Sequence, residues 1–201
     1  MSASEPIDNR LFILILQHPR EKKEPLATAA LTAAMLHRAA LVVGLSWPNL
    51  AAALGRPADP RQWGVLYLGS ARPHRLGTED EVIALDRDQA PARHRPLVPS
   101  QFAGVVLLDG SWREAKALWW RNPWLLKLQR LVLNPHQPSR YARLRREPRR
   151  EALSTIEAAA LLLSRVEGRP EIEATLNAAL ERLVAAAQPG PPGPIRPSAD
   201  R

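Results

Sequence analysis

A chain of 201 residues with a hydrophobic share of 45% supports one domain with a real core and excludes a second full one. The formal net charge of +8 makes nucleic acid or another polyanion the leading partner class, although charge does not name a reaction. Cysteine is absent, which removes disulfides, thiolate nucleophiles and cysteine-ligated zinc together; the five histidines are scattered without ligand spacing, so no metal is expected. No apolar run approaches the roughly 20 residues needed to span a bilayer, and Met1 to Arg10 carries no signal core, so a cytoplasmic protein without a membrane partner is expected.

In chain order, residues 1–9 read as a flexible N-terminus and 10–187 as the single domain. Leu11 to Leu16 is a short continuous apolar run bounded by polar residues, the pattern of a strand buried on both faces. Ala27 to Ala40 is alanine-rich and predicts a helix, and Leu41 to Leu45 and Gly64 to Leu68 predict strands. Asp86 to Ser100, rich in proline, arginine and histidine, reads as a long exposed loop. Gly104 to Leu108 predicts a strand, Arg113 to Leu118 a helix, and Leu128 to Leu133 a further strand. Ser154 to Glu167 and Pro170 to Ala187 predict two closing helices, with Gly168 as a stop and Pro170 in a first turn. From Gln188 onward the Pro/Gly-rich tail has no apolar face to bury and predicts disorder. Strand and helix alternate, so the class is α/β.

The densest chemistry follows the strand at Gly104 to Leu108, where Asp109-Gly110-Ser111-Trp112 places a carboxylate, a hydroxyl and an indole at a strand's carboxyl end. Ligands of open α/β sheets bind there. Ser111 and Glu114 also form a capping box, which explains a helix start without explaining why Asp109 is acidic or why Trp112 is aromatic. Ser154 and Glu157 repeat the box, and the first-turn N–H groups behind it suit an anion such as an amino-acid carboxylate. In Ser139 to Arg150 six arginines accompany one glutamate and Tyr141, a composition equally readable as a solvated loop or as phosphate contact with a stacking ring. His18-Pro19-Arg20-Glu21 follows the first strand; a lone loop histidine is usually a surface residue. Trp119, Trp120 and Trp124 are read as packing, with Trp120 and Trp124 on one helical face by the i, i+4 rule.

Taken together and in order, these blocks resemble the DTW-domain family, the tRNA-uridine aminocarboxypropyltransferases. The family's Asp-Thr-Trp trio is matched by Asp109, Ser111 and Trp112, with His18-Pro19-Arg20-Glu21 and Thr28 upstream and Ser139-Arg140-Tyr141, Arg145 and Ser154-Thr155-Ile156-Glu157-Ala158 downstream. The resemblance covers roughly Leu11 to Glu167. Ser111 stands where the family usually has threonine, as in relatives that modify small-subunit ribosomal RNA. The N-terminal cysteine cluster of many members is absent.

The resemblance implies a SPOUT-like, mostly parallel sheet flanked by helices, with a C-terminal trefoil knot. It also implies transfer of the 3-amino-3-carboxypropyl group from S-adenosylmethionine to N3 of a uridine, with RNA, foremost tRNA, as partner and a monomer as the expected state. Uridine N3 must lose a proton, so Asp109 is read as general base, with binding of the donor's ammonium group as its competing role. Trp112 faces the sulfonium or packs along the transferred chain, and Ser111 fixes the turn. Leu108, Ser154 and Thr155 complete the donor-binding set, and Arg20, Arg140, Tyr141, Arg143, Arg145 and Arg146 are the RNA candidates. An RNA methyltransferase, a ribosomal RNA enzyme of the same fold, a non-catalytic RNA-binding protein and a metabolic α/β enzyme stay open as alternatives.

Overall fold

A computed structural model of the chain describes residues 5–21, 28–66, 80–85, 101–136 and 153–187. Among these residues six strands form one sheet: β1 Phe12–Gln17, β2 Ala39–Val43, β3 Trp63–Leu66, β4 Val82–Leu85, β5 Gly104–Asp109 and β6 Gln129–Leu133. Their order is β2-β1-β5-β3-β6-β4, and every neighbouring pair is parallel except β4 with β6. The α-helices among the described residues are α1 Thr28–Met35, α2 Leu50–Leu54, α3 Trp112–Arg121, α4 Thr155–Glu167 and α5 Pro170–Ala187. The α/β class and the mostly parallel sheet follow from this pattern.

The continuous apolar runs have a simple cause. Successive side chains of a strand point to opposite faces, and both faces here are covered. Ile13, Ile15, Val105 and Leu107 face a layer built by Leu36 just after α1, Ile156 and Leu163 of α4, and Ile172 and Leu176 of α5. Leu14, Leu16, Val65 and Val106 face a second core with Leu50, Trp124, Leu125 and Leu128. Gly104 has no side chain because the buried Trp63 indole lies over it, within 2.6 Å of where a Cβ would stand.

Helix α4 runs against the strands. Its last residue, Glu167, reaches the amino end of β1, where Oε1 accepts from the Arg10 and Leu11 N–H groups, both at 2.9 Å. Gly168 then ends the helix in the left-handed region at φ 66°. The N-terminus of α4 is therefore carried to the carboxyl ends of the strands, the same side of the sheet as Asp109.

Several boundaries differ from expectation. Alanine tolerates both helix and strand, so Ala39 and Ala40, predicted as helix, instead pair with Ile13 and Leu14 in β2. Strand β4 has only four residues and carries no strong sequence signal; its antiparallel pairing with β6 creates it. Packing also begins ahead of residue 10: Ile7 bridges to Leu36, and the fully buried Asn9 side chain donates to the Leu11 and Arg38 carbonyls. The stretches Asp86 to Ser100 and Gln188 to Arg201 lie outside the described residues.

Candidate functional site

Strands β1 and β5 end level, with Gln17 and Asp109 as direct partners. Asp109 shares the face of Val105 and Leu107, so its carboxylate is directed toward α4. There Oδ2 accepts from Gln17 Nε2 at 2.9 Å and Oδ1 accepts from the Thr155 hydroxyl. Asp109 is 6% exposed. A carboxylate so buried is tolerable only when hydrogen-bonded, and each of its oxygens has one donor and a lone pair to spare.

The chain leaves Asp109 through Gly110, whose φ of 153° is strained for any residue with a side chain. A Cβ on Gly110 would also lie 2.9 Å from Glu114 Cβ and 3.4 Å from His18 Cβ. Glycine thus lets three segments close on one another. Ser111 follows as the cap of α3, and Glu114 Oε2 accepts from its N–H at 3.0 Å and its hydroxyl at 2.7 Å. The other Glu114 oxygen is 3.5 Å from His18 Nδ1.

Burial pushes the Glu114 carboxyl up, but hydrogen bonds from Ser111 and the charge of His18 outweigh it and hold the group below its ordinary value of 4.5. His18 Nδ1 is also 3.3 Å from the Arg20 N–H. One nitrogen cannot accept and donate at once: a bare Nδ1 takes the Arg20 N–H, and a protonated one serves Glu114. The His18 N–H donates to the Asp109 carbonyl at 3.0 Å, extending the β1–β5 ladder by one bond.

At the first turn of α4, Ser154 and Glu157 form the expected box: Glu157 Oε2 accepts from the Ser154 N–H at 2.8 Å and its hydroxyl at 2.7 Å. Thr155 is the next residue, and its hydroxyl meets Asp109. The N–H groups of Thr155 and Ile156 belong to a first turn that no carbonyl of the helix can satisfy. A buried carboxylate and a helix N-terminus therefore stand side by side, one suited to a cationic and the other to an anionic group.

The DTW domain matches residues 1–188 of this sequence. The chain belongs to the DTW-domain family. It is 34% identical over 175 residues to tRNA-uridine aminocarboxypropyltransferase 2 of Drosophila melanogaster, a match covering 85% of this chain and 62% of that protein. The proteins of the same name from Macaca fascicularis and Mus musculus are 27% and 29% identical, over 90% and 89% of this chain and 56% and 55% of theirs. The chain thus spans little more than half the length of these curated relatives. No solved structure matches it.

Within this DTW domain, Asp109 and Thr155 touch, Ser154 caps the helix that begins with Thr155, and Ser111 and Trp112 open α3 two and three residues past Asp109. Trp112 is 39% exposed and Arg20 is exposed. The Leu108 side chain faces the opposite side of the sheet, packed on the second core, so only its backbone shares the strand end with Asp109. Arg140, Tyr141, Arg143, Arg145 and Arg146 lie outside the described residues. Gln17 was missed in the sequence; the available signal was a polar residue closing an apolar run, on the same parity as Ile13 and Ile15. Glu114, read as a cap, also engages His18. Trp120 and Trp124 do not share a helical face, because α3 ends at Arg121 and Pro123 starts a 3-10 turn, Pro123–Lys127, that buries Trp124.

Proposed function

We propose that this DTW-domain protein transfers the 3-amino-3-carboxypropyl group of S-adenosylmethionine to N3 of a uridine in tRNA. The observation that carries the reading is the buried Asp109 carboxylate held between Gln17 and Thr155 at the N-terminus of α4. A buried carboxylate beside a helix N-terminus fits a base for N3 next to a seat for the carboxylate of the donor's amino-acid arm. The donor supplies an electrophilic carbon on a sulfonium: the carbon–sulfur bond to the amino-acid arm breaks, a bond to N3 forms, and methylthioadenosine leaves with the electron pair.

In this reading Asp109 takes the N3 proton, Ser154 and Thr155 hold the donor's amino-acid end, and Ser111 fixes the turn that presents Trp112 to the sulfonium or the transferred chain. The Leu108 backbone borders the donor. Arg140, Tyr141, Arg143, Arg145 and Arg146, with Arg20 beside His18, serve RNA. The reading includes action as a cytoplasmic monomer without a metal, and a C-terminal trefoil knot of the SPOUT kind.

A second role for Asp109, holding the donor's ammonium group, is favoured by its contact with Thr155 at the N-terminus of α4. Asp109→Asn separates the two. A base predicts a kcat loss of about 10² to 10⁴ with donor affinity kept, whereas an ammonium ligand predicts weakened donor binding by calorimetry. The overall reading is tested by incubating the protein with S-adenosylmethionine and tRNA, digesting to nucleosides and weighing the modified uridine. An aminocarboxypropyl-sized gain is expected; a methyl-sized gain, or none, overturns the proposal.

A further inference from the structure

Helix α3 carries a large aromatic on the outside of the protein. Trp120 is 75% exposed, although its neighbours Trp119 and Trp124 turn toward the second core. Its exposure follows from where the helix stops. The buried Asn122 side chain donates to the Leu45 and Leu118 carbonyls and accepts from the Trp47 N–H and the Trp124 indole, so the chain turns inward just after Arg121. Trp120 is left on the helix face that points away.

That face is not apolar. At about 100° per residue, Trp112, Arg113, Lys116 and Trp120 fall within one arc of roughly 100°, and all four are exposed. Lys116 is four residues from each indole and so lies one turn from both. Arg121, also exposed, ends the helix. The single acidic residue of α3, Glu114, points the other way and is engaged by Ser111 and His18. The stripe begins at Trp112, beside Asp109, and Trp120 stands about 12 Å further along the axis. Two exposed indoles with two cations between them, in a protein of net charge +8, match a ligand that offers flat rings and phosphates together.

We propose that the outer face of α3 docks the RNA strand that flanks the target uridine, with Trp120 stacking on an unpaired base and Arg113 and Lys116 holding phosphates. The inference rests on tRNA as the substrate and adds a contact surface built from residues of α3. An RNA is favoured over a second copy of this chain because the charged residues of the stripe, Arg113 and Lys116, are both positive and would repel those of a copy.

The test uses the full chain, unmodified tRNA transcript and S-adenosylmethionine, with the variants Trp120→Ala, Trp120→Phe and Lys116→Ala. Loss of one stacked base predicts a rise of about fivefold or more in the Kd and KM for tRNA in Trp120→Ala, with kcat and donor affinity unchanged and Trp120→Phe close to the parent. Lys116→Ala should lower the slope of log Kobs against log salt by about 0.7 to 0.9. Parent values of tRNA affinity and salt slope in Trp120→Ala and Lys116→Ala overturn the docking surface while leaving the transfer reading intact if product still forms. The reverse pattern, weakened binding in these variants with no modified uridine from any of them or the parent, sinks the transfer reading and keeps the surface. Failure of the parent to bind tRNA removes both. A dimer that Trp120→Ala dissociates, with tRNA affinity unchanged, reassigns the indole to self-association and overturns the proposal.

Discussion

Gln17 and Asp109 face each other across the level ends of β1 and β5, and the amide of one donates to the carboxylate of the other at 2.9 Å. Register makes this contact possible: a slip of one residue would turn Asp109 to the opposite face, toward the second core and away from α4. Thr155 supplies the other donor from a helix far along the chain. Gln17→Leu and Thr155→Val each remove one hydrogen bond from a buried charge and should cost about 1.5 to 3 kcal/mol in stability. Because they share one acceptor, the double variant should depart from the sum of the singles. Urea unfolding of the four proteins measures this, and strict additivity would contradict a shared carboxylate.

Acid should weaken the fold through carboxylates away from Asp109 as well as beside it. Glu81, just ahead of β4, accepts from Arg165 Nε at 2.5 Å and from the His136 N–H at 3.3 Å. Burial raises its pKa, but the Arg165 hydrogen bond and charge and the His136 contacts outweigh it, leaving the group below 4.5, as at Glu114. A carboxyl depressed in the folded state binds fewer protons there than when unfolded, so stability is full above about 4.5 and declines as pH falls through the lower folded values. The urea midpoint should therefore be flat near neutrality and drop on the acid side. Glu81→Gln should flatten that acid limb, and an unaltered limb would count against the Arg165 network.

Asn122 is the joint between the β2–α2 connection and the end of α3. Its side chain makes four hydrogen bonds, at 2.8 to 3.2 Å, to groups of Leu45, Trp47, Leu118 and Trp124. Asn122→Ala strands several buried polar groups at once, and a loss on the order of 3 kcal/mol is expected. Asn122→Asp preserves the acceptor and loses both donors, so it should also be destabilised. Thermal unfolding reads both; a Tm near the parent's in either variant would show that water replaces the side chain.

The sequence was most informative where one residue type does one job. The run Leu11 to Leu16 is apolar at both parities because β1 is covered on both faces, and that is visible without coordinates. The closing helices were equally legible, since the box at Ser154, Gly168 and Pro170 are local signals; α5 spans Pro170–Ala187 as the pattern predicts. Long-range pairing was not. Val82–Leu85 becomes a strand only because β6 offers an open edge, and Gln17 acquires its role only because β5 is inserted beside β1. Trp120 and Trp124 obey the i, i+4 rule only on an unbroken helix, and Pro123, four residues before the end of that 3-10 turn, breaks it. The resemblance to the DTW domain named Asp109, Ser111 and Trp112 as a unit; the bond that joins Asp109 to Thr155 needed the fold.

Gly110 gives a last test, because two other glycines serve as its controls. Gly55 and Gly168 also have positive φ, at 72° and 66°, yet a Cβ on either would meet nothing within 4 Å. Alanine at those positions should cost only the left-handed backbone penalty, about 1 to 2 kcal/mol. At Gly110 the backbone is strained too, and the added Cβ collides with Glu114 Cβ at 2.9 Å. Relief requires α3 to move away from His18, which separates Glu114 from its histidine and shifts Trp112 relative to Asp109. Gly110→Ala should therefore lose at least about 1 kcal/mol more than either control, and it alone of the three should weaken donor binding in calorimetry. Equal losses in all three, with donor affinity retained, would mean that the turn after Asp109 yields without disturbing the site.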